Sequence, residues 1–246
     1  MADFAFDGGQ SLRPESGVIG RYRKQSQPSS AYRSSEPSSA TVCNVRHCKP
    51  PTMLSLRSHH ILVVGGSRGI GAASALLSAE AGADVSVVYR NDTGAAERVV
   101  GKIEVAGRKG FSVRADASEE TELGPAVEAA VAALGPIHGL VVSAGIFEGL
   151  PLQEMTAEFW DRTMAMNLRS TFLAVKHAVP HMAPGASIVI YTSTAGQRGS
   201  AVYSAYAASK AAQIMFMRSM AKELAPAIRV NCIAPAWTET DMADAS

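Results

Sequence analysis

From His60 to the end of the chain two textures alternate: short runs dominated by Val and Ile, and longer Ala-rich stretches with polar residues spaced through them. The short runs are rich in β-branched residues and suit strands, while the longer stretches suit helices, so the pattern predicts βαβ units. Such units build a parallel sheet with helices on both faces, a doubly wound α/β fold in a single domain. The predicted strands are "ILVVG" (61–65), "VSVVY" (85–89), "FSVRA" (111–115), "GLVVS" (139–143), "SIVIYT" (187–192) and "IRVNCI" (228–233). Helices fill most of the intervals. In "SEETELGPAVEAAVAAL", Ser118 is the expected N-cap, and Glu119 and Glu120 suit the positive end of the helix dipole. Thr121 at the third helical position leaves the capping box incomplete.

Residues 1–57 have neither texture. "RKQSQPSSAYRSSEPSSATV" is rich in Ser, Pro and Arg and cannot bury enough apolar surface to offset ordering entropy, so a disordered extension is expected there, ahead of one folded domain over 58–246. Its Arg and Ser content resembles that of an organelle transit peptide, but Asp3 and Asp7 lie where such peptides avoid acids, and Met53 offers an alternative start. Composition agrees with the folded part: 47% hydrophobic and 18% charged residues among 246 describe a soluble globular protein. A net charge of +1 gives no electrostatic case for nucleic acid or an acidic membrane surface, and no apolar run is long enough to span a bilayer. Three cysteines, Cys43, Cys48 and Cys232, do not make a disulfide framework and suit a reducing compartment, with the cytoplasm as the expected location. "CNVRHC" sets His47 between Cys43 and Cys48, but a zinc site usually needs four ligands, so no metal is expected.

Chemistry enters at the first strand, which runs directly into "GGSRGIG". Gly65, Gly69 and Gly71 permit a tight turn and let the backbone and a helix N-terminus approach a pyrophosphate. Between a buried strand and a long helix, this is a dinucleotide signal. Sites that prefer NAD carry an acid at the end of the second strand; here stand Tyr89 and Arg90. Arg90 and Arg68 can pair with a 2′-phosphate, which points to NADP, unless both are ordinary solvated arginines. Asp116 in "RADAS" can accept from the adenine amino group or serve as a helix cap.

The stretch "YSAYAASKAA" (203–212) places Tyr206 one helical turn from Lys210, with Tyr203 two turns away, so Tyr206 is the better partner for the ammonium. A free tyrosine has a pKa of about 10, and a neighbouring ammonium would favour the phenolate. With Ser193 donating to a substrate carbonyl, Tyr206 supplying a proton and a nicotinamide supplying hydride, the residues describe carbonyl reduction.

In family order and at familiar separations, "GGSRGIG", "RADAS", "SAG" (143–145), "MNLRSTF" (166–172), "YTSTAG" (191–196), "YAASK" (206–210) and "RVNCIAPAWTET" (229–240) resemble the short-chain dehydrogenases/reductases, especially their 3-oxoacyl-acyl-carrier-protein reductase-like members. The resemblance implies a catalytic set of Asn167, Ser193, Tyr206 and Lys210, with Lys210 also on the nicotinamide ribose and Asn167 holding a water that returns protons. It implies cofactor contacts from Gly65, Ser67, Arg68, Gly69, Ile70 and Gly71 in the turn, and from Arg90 and Asp116 at the adenosine end. Ala144 and Gly145 after the fourth strand, Tyr206 and Lys210, and Pro235 and Thr240 after the sixth strand complete that set. Tyr203, Thr192 and Thr194 are expected to line or pack the pocket.

Three departures from the family pattern surround the cofactor: Val64 for threonine, Val142 and Ser143 for a pair of asparagines, and Ala236 for glycine. If the turn at Ala236 needs a positive φ, alanine costs about 1 kcal/mol there. Relatives continue beyond "TETDM" with helices over the substrate and a last strand, so a chain ending at Ser246 is expected to leave the "IRVNCI" strand as an edge. The resemblance implies a homotetramer, reduced to a homodimer through helices around 167–183 and 204–224 if that last strand is missing. The expected activity is NADPH-dependent reduction of a ketone or 3-oxoacyl group of a small molecule to an alcohol, or its reverse. The alternative is an NADP-binding scaffold without turnover or a truncated relative. Phe147, Gln197, Arg198 and Trp237 do not by themselves specify a substrate.

Overall fold

The computed structural model describes residues 55–240; the predicted extension over 1–57 and the Cys43–His47–Cys48 cluster therefore lie almost wholly outside the described residues. The elements alternate as the pattern predicted: β1 (His60–Val64), α1 (Gly69–Glu80), β2 (Asp84–Tyr89), α2 (Thr93–Val105), β3 (Gly110–Arg114), α3 (Glu120–Leu134) and β4 (Ile137–Val142). After β4 come α4 (Ala157–Met164), a π-helical turn (Ala165–Arg169), α5 (Ser170–Ala178), β5 (Met182–Tyr191), α6 (Ala195–Arg198), α7 (Ser204–Glu223) and β6 (Arg229–Ile233). All strand pairings are parallel, in the order β3-β2-β1-β4-β5-β6. The chain moves outward from β1 in one direction, then returns to lay β4 on the other side of β1. At that reversal the loops following β1 and β4 diverge to opposite faces and leave a crevice at the carboxyl ends of the strands.

The strands are nearly continuous in apolar residues because successive side chains serve two cores. Leu62, Val64, Leu140 and Ile188 pack with Leu123 and Val127 of α3 and Leu173 of α5. Ile61, Val63, Val85 and Val87 pack with Ala75 and Ala79 of α1 and Val99 and Ile103 of α2. In β6 only one face is covered: Val230 is buried while Arg229, Asn231 and Ile233 are exposed. Among the described residues β6 is an edge, as expected of the "IRVNCI" segment.

Two local expectations need correction. Ser118 does not cap α3: Glu119 holds the N-cap position, and the Ser118 N–H and hydroxyl both donate to Asp116 Oδ1, at 2.9 and 2.7 Å. The aspartate captures the serine in a local turn, so neither residue is left to cap the helix. β5 begins at Met182, five residues before the predicted strand, because the Ala-Pro-Gly-Ala segment that follows hides a strand start. Ile137 pairs with Met182, and the register then shifts so that Gly139 meets Ser187.

At the amino ends of the strands a buried polar group interrupts the apolar core. His60 Nδ1 lies 2.8 Å from the Gly135 carbonyl and Nε2 lies 2.7 Å from Ser86 Oγ. The carbonyl can only accept, so the ring carries its proton on Nδ1, and Nε2 accepts from the Ser86 hydroxyl. The His60 N–H donates to His138 Nδ1 at 3.1 Å. Burial holds His60 below its ordinary pKa, keeping it neutral.

Candidate active site

The crevice is a cavity of about 570 Å³ that runs from the glycine turn to the α7 tyrosines. Its cofactor half is shaped by two glycines. Gly65 has φ +85°, and a Cβ there would stand 2.5 Å from Ala144 N; a Cβ on Gly71 would stand 2.1 Å from the Gly65 carbonyl oxygen. The turn can close this tightly only without side chains, which draws β1, α1 and the segment after β4 together. Arg68 is the N-cap of α1 and makes no capping bond, and no acid stands in the first turn, so the helix end presents its N–H groups and positive dipole to the cavity. Thr240 sits beside Gly69, with its Cγ2 3.6 Å from where a Gly69 Cβ would be.

Ser67, Arg68, Gly69 and Ile70 line this half, and Arg90 and Asp116 meet at its far end. Arg90 Nη1 is 3.6 Å from Asp116 Oδ2 and 3.0 Å from Met166 Sδ. The Asp116 carboxyl is held below the usual carboxylate range: burial works against ionisation, and the Ser118 hydrogen bonds and Arg90 outweigh it. Oδ1 is thus taken up by Ser118, and Oδ2 faces the Arg90 guanidinium. The departures at Val64, Val142 and Ser143 are absorbed by the backbone, since the Val64 carbonyl accepts from both Ser143 N and Ala144 N, at 2.9 and 3.0 Å. Ala236 carries no strain: the positive-φ residues other than glycine among the described residues are Ser58 and Val202.

The reacting half is built on α7. Tyr206 is buried, and its phenol pKa is raised: burial is the larger effect, partly offset by the Ser193 hydroxyl. Lys210, 6% exposed, is brought down to about 8 by burial. Its Nζ is 5.7 Å from the Tyr206 ring centroid and donates to the Tyr191 carbonyl at 3.0 Å. The ammonium therefore stands near the phenol without bonding to it, and the expected lowering of the tyrosine by lysine does not appear in the protein alone. α6 sets Ser193 against α7 by close approach, since a Cβ on Gly196 would meet Ala211 N and the Lys210 carbonyl carbon at 2.7 Å. Pro235 lines the opposite wall, and its carbonyl accepts from Thr194 N at 3.0 Å.

Asn167 lies inside the π-helical turn and is fully buried. Its Oδ1 accepts from Ile146 N at 2.7 Å, and its Nδ2 donates to the Ile146 carbonyl at 3.1 Å and Ser209 Oγ at 3.0 Å. Gly145 must be glycine here, because a Cβ would lie 2.8 Å from Asn167 Oδ1. Asn167 thus fixes the segment after β4 to the helices.

Three contributors escaped the sequence reading. Tyr191 ties Lys210 through its carbonyl and α1 through its hydroxyl, which lies 3.0 Å from Ser74 Oγ. Ser209 and Gln213 join Asn167 on the buried side of α7. A signal for Gln213 existed: it stands three residues after Lys210 and seven after Tyr206, on the same helical face. On the substrate side Phe147 stacks on Tyr203 at 4.5 Å, meets the edge of Tyr206 at 4.8 Å and faces Trp237 at 6.3 Å. Gly149 lets Tyr203 close on it, since a Cβ there would come within 2.7 Å of the ring.

Residues 59–246 match the family model described as short chain dehydrogenase. The chain belongs to the short-chain dehydrogenase/reductase family. It is 38% identical over 195 residues to the short-chain dehydrogenase/reductase FrzI of Cladobotryum sp, covering 78% of this chain and 74% of that one. It is 35% identical over 187 residues to the 3-oxoacyl-[acyl-carrier-protein] reductase FabG of Staphylococcus aureus, covering 75% and 76%. Among solved structures, a short chain dehydrogenase from Burkholderia cenocepacia in complex with NADP superposes with a TM-score of 0.74 at 38% identity, over 77% of this chain and 81% of the other. Short-chain dehydrogenases/reductases are oxidoreductases that use nicotinamide cofactors on small molecules. Among the described residues no helix is long and apolar enough to cross a membrane.

Proposed function

We propose that this short-chain dehydrogenase/reductase uses NADPH to reduce a ketone or 3-oxoacyl carbonyl to a secondary alcohol, and can run the reverse oxidation. The observation that carries the reading is that one cavity holds Ser193, Tyr206 and Lys210 at one end and the glycine turn at the other. Gly65, Ser67, Arg68, Gly69, Ile70 and Gly71 would receive the pyrophosphate, with Ala144, Gly145, Pro235 and Thr240 around the nicotinamide end. Arg90 and Arg68, with no acid at the end of β2, favour a 2′-phosphate and hence NADP. The fit of such a cofactor is supported by a turn that closes only because Gly65 and Gly71 have no Cβ to strike its backbone, and by the uncapped start of α1 facing the cavity.

When bound, the reduced nicotinamide supplies hydride to the carbonyl carbon. Ser193 donates a hydrogen bond that polarises the carbonyl oxygen. Tyr206, kept protonated by its raised pKa, gives its phenolic proton to the oxygen as negative charge develops there. Lys210, buried and without a carboxylate partner, titrates at about 8 and stands ready to return a proton toward the phenolate at neutral pH. Asn167 acts by holding Ile146 and Gly145: its Nδ2 is fully committed, while its Oδ1, bonded to Ile146 N, keeps a second lone pair that a water on the way to Lys210 could use. The wall of Phe147, Tyr203 and Trp237 favours a substrate whose body beside the carbonyl is flat or apolar. A homodimer or homotetramer would use α5 and α7, where Phe172 and Met215 are exposed.

The test follows NADPH absorbance with a panel of β-keto esters and aryl ketones, beside Tyr206→Phe. Turnover in the wild type and a loss of at least about a hundred-fold in kcat for the variant are expected, the scale of one acid catalyst. NADPH binding without Tyr206-dependent turnover would favour the scaffold reading instead.

A further inference from the structure

Gln213 is fully buried on α7, yet it is polar and takes no part in the chemistry proposed above. Its Nε2 donates to the Asn167 carbonyl at 2.8 Å and to Thr171 Oγ1 at 2.6 Å. Thr171 Oγ1 in turn donates to the same Asn167 carbonyl at 2.8 Å. The hydroxyl's one proton goes to that carbonyl, so Thr171 can only accept from Gln213. The amide orientation is therefore forced: turned over, Gln213 would set its own oxygen against the Asn167 oxygen. In the orientation it adopts, Oε1 is buried without a partner.

An orphan acceptor in an otherwise satisfied network is a cost that a methionine or leucine of similar volume would avoid. What the glutamine provides and an apolar residue does not is a pair of N–H donors, one on the Asn167 carbonyl of the π-helical turn and one on Thr171 at the start of α5. A π turn breaks the regular helical ladder, and here side chains serve its carbonyls: Ser170 Oγ donates to Met166 O at 2.7 Å, while Thr171 and Gln213 serve Asn167. From Asn167 the connection runs on to both backbone groups of Ile146 and to Ser209, which donates to the Tyr206 carbonyl at 2.7 Å. One amide thus pins the turn that fixes the segment after β4 to the helix that carries the phenol and the ammonium.

We propose that Gln213 is a positioning residue: its amide holds the Asn167 carbonyl and so sets Gly145–Ile146 in register with Tyr206 and Lys210. The proposal rests on the oxidoreductase reading for its kinetic consequence but not for its structural one. Gln213→Met keeps the volume and removes both donors and the orphan oxygen. Gln213→Glu keeps the shape but turns an acceptor toward the Asn167 oxygen.

Steady-state kinetics, thermal melts and amide hydrogen exchange are measured on the three full chains. For Gln213→Met we expect an unchanged or higher Tm, KM for NADPH within about three-fold, and kcat lowered about ten-fold, the scale of a misplaced reacting group. Gln213→Glu should lose more kcat than Gln213→Met. In both variants exchange should accelerate at Ile146 and across residues 165–171. A residue that only fills space predicts the opposite for methionine: kcat and exchange unchanged, or Tm and kcat falling together, and either result overturns the proposal. If the wild type reduces no ketone, the oxidoreductase reading fails, while unaltered exchange at Ile146 and 165–171 in both variants would still defeat the positioning role by itself.

Discussion

At the scale of the residue, Lys210 carries a measurable penalty. Its folded pKa of about 8 lies below the ordinary lysine value of about 10.4, so the unfolded chain holds that proton more tightly. Below about pH 8 both states are protonated and the full cost of burying the charge is present, on the order of 3 kcal/mol at about 1.4 kcal/mol per pH unit. Between about pH 8 and 10 the folded state sheds the proton first and stability rises with pH. Lys210→Met should therefore melt higher than the wild type at pH 7 without cofactor. Its advantage should shrink as pH rises through that window, which thermal melts across pH would check. The lysine itself was legible in the sequence, being four residues from Tyr206 on a helix. Its bond to the Tyr191 carbonyl was not, because a backbone acceptor at a strand end leaves no mark in residue identities.

At the scale of the element, the β1–α1 turn is where sequence and structure speak most alike. Six strands and their alternation with helices were readable from β-branched runs, because both faces of the central strands β1 and β2 are buried and most of their positions are apolar. What escaped depended on contacts from outside the element: Asp116 taking Ser118 from the helix it was expected to cap, and the π turn, which no periodicity announces. Gly65 and Gly107 separate two causes of a glycine requirement. Both have positive φ, +85° and +73°, but a Cβ at Gly65 meets Ala144 N at 2.5 Å while Gly107 has nothing within 4 Å. Gly107→Ala should cost about 1 kcal/mol in urea unfolding, the conformational effect alone. Gly65→Ala should cost roughly twice that or more and weaken NADPH binding, read by fluorescence titration, whereas Gly107→Ala leaves binding unchanged.

At the scale of the whole molecule, a parallel sheet has two unlike ends, and this one uses them for different purposes. The carboxyl ends open into the cavity with Tyr206 and Lys210; the amino ends close over His60, Ser86 and the Gly135 carbonyl. Because burial lowers the His60 pKa, the unfolded chain takes up its proton first as pH falls below about 6.5, and stability declines from there. The melting temperature should drop between pH 7 and 5, and replacing both partners by apolar residues, His60→Val with Ser86→Ala, should flatten that slope. Neither end was foreseeable alike: the motif at one end announces chemistry, while a histidine preceding an apolar run looks like the edge of a strand. For anyone measuring rates in mild acid, the consequence is a confusion of instruments. A falling signal there would include a loss of folded molecules, and the histidine that contributes to it lies at the end of the sheet away from the cavity.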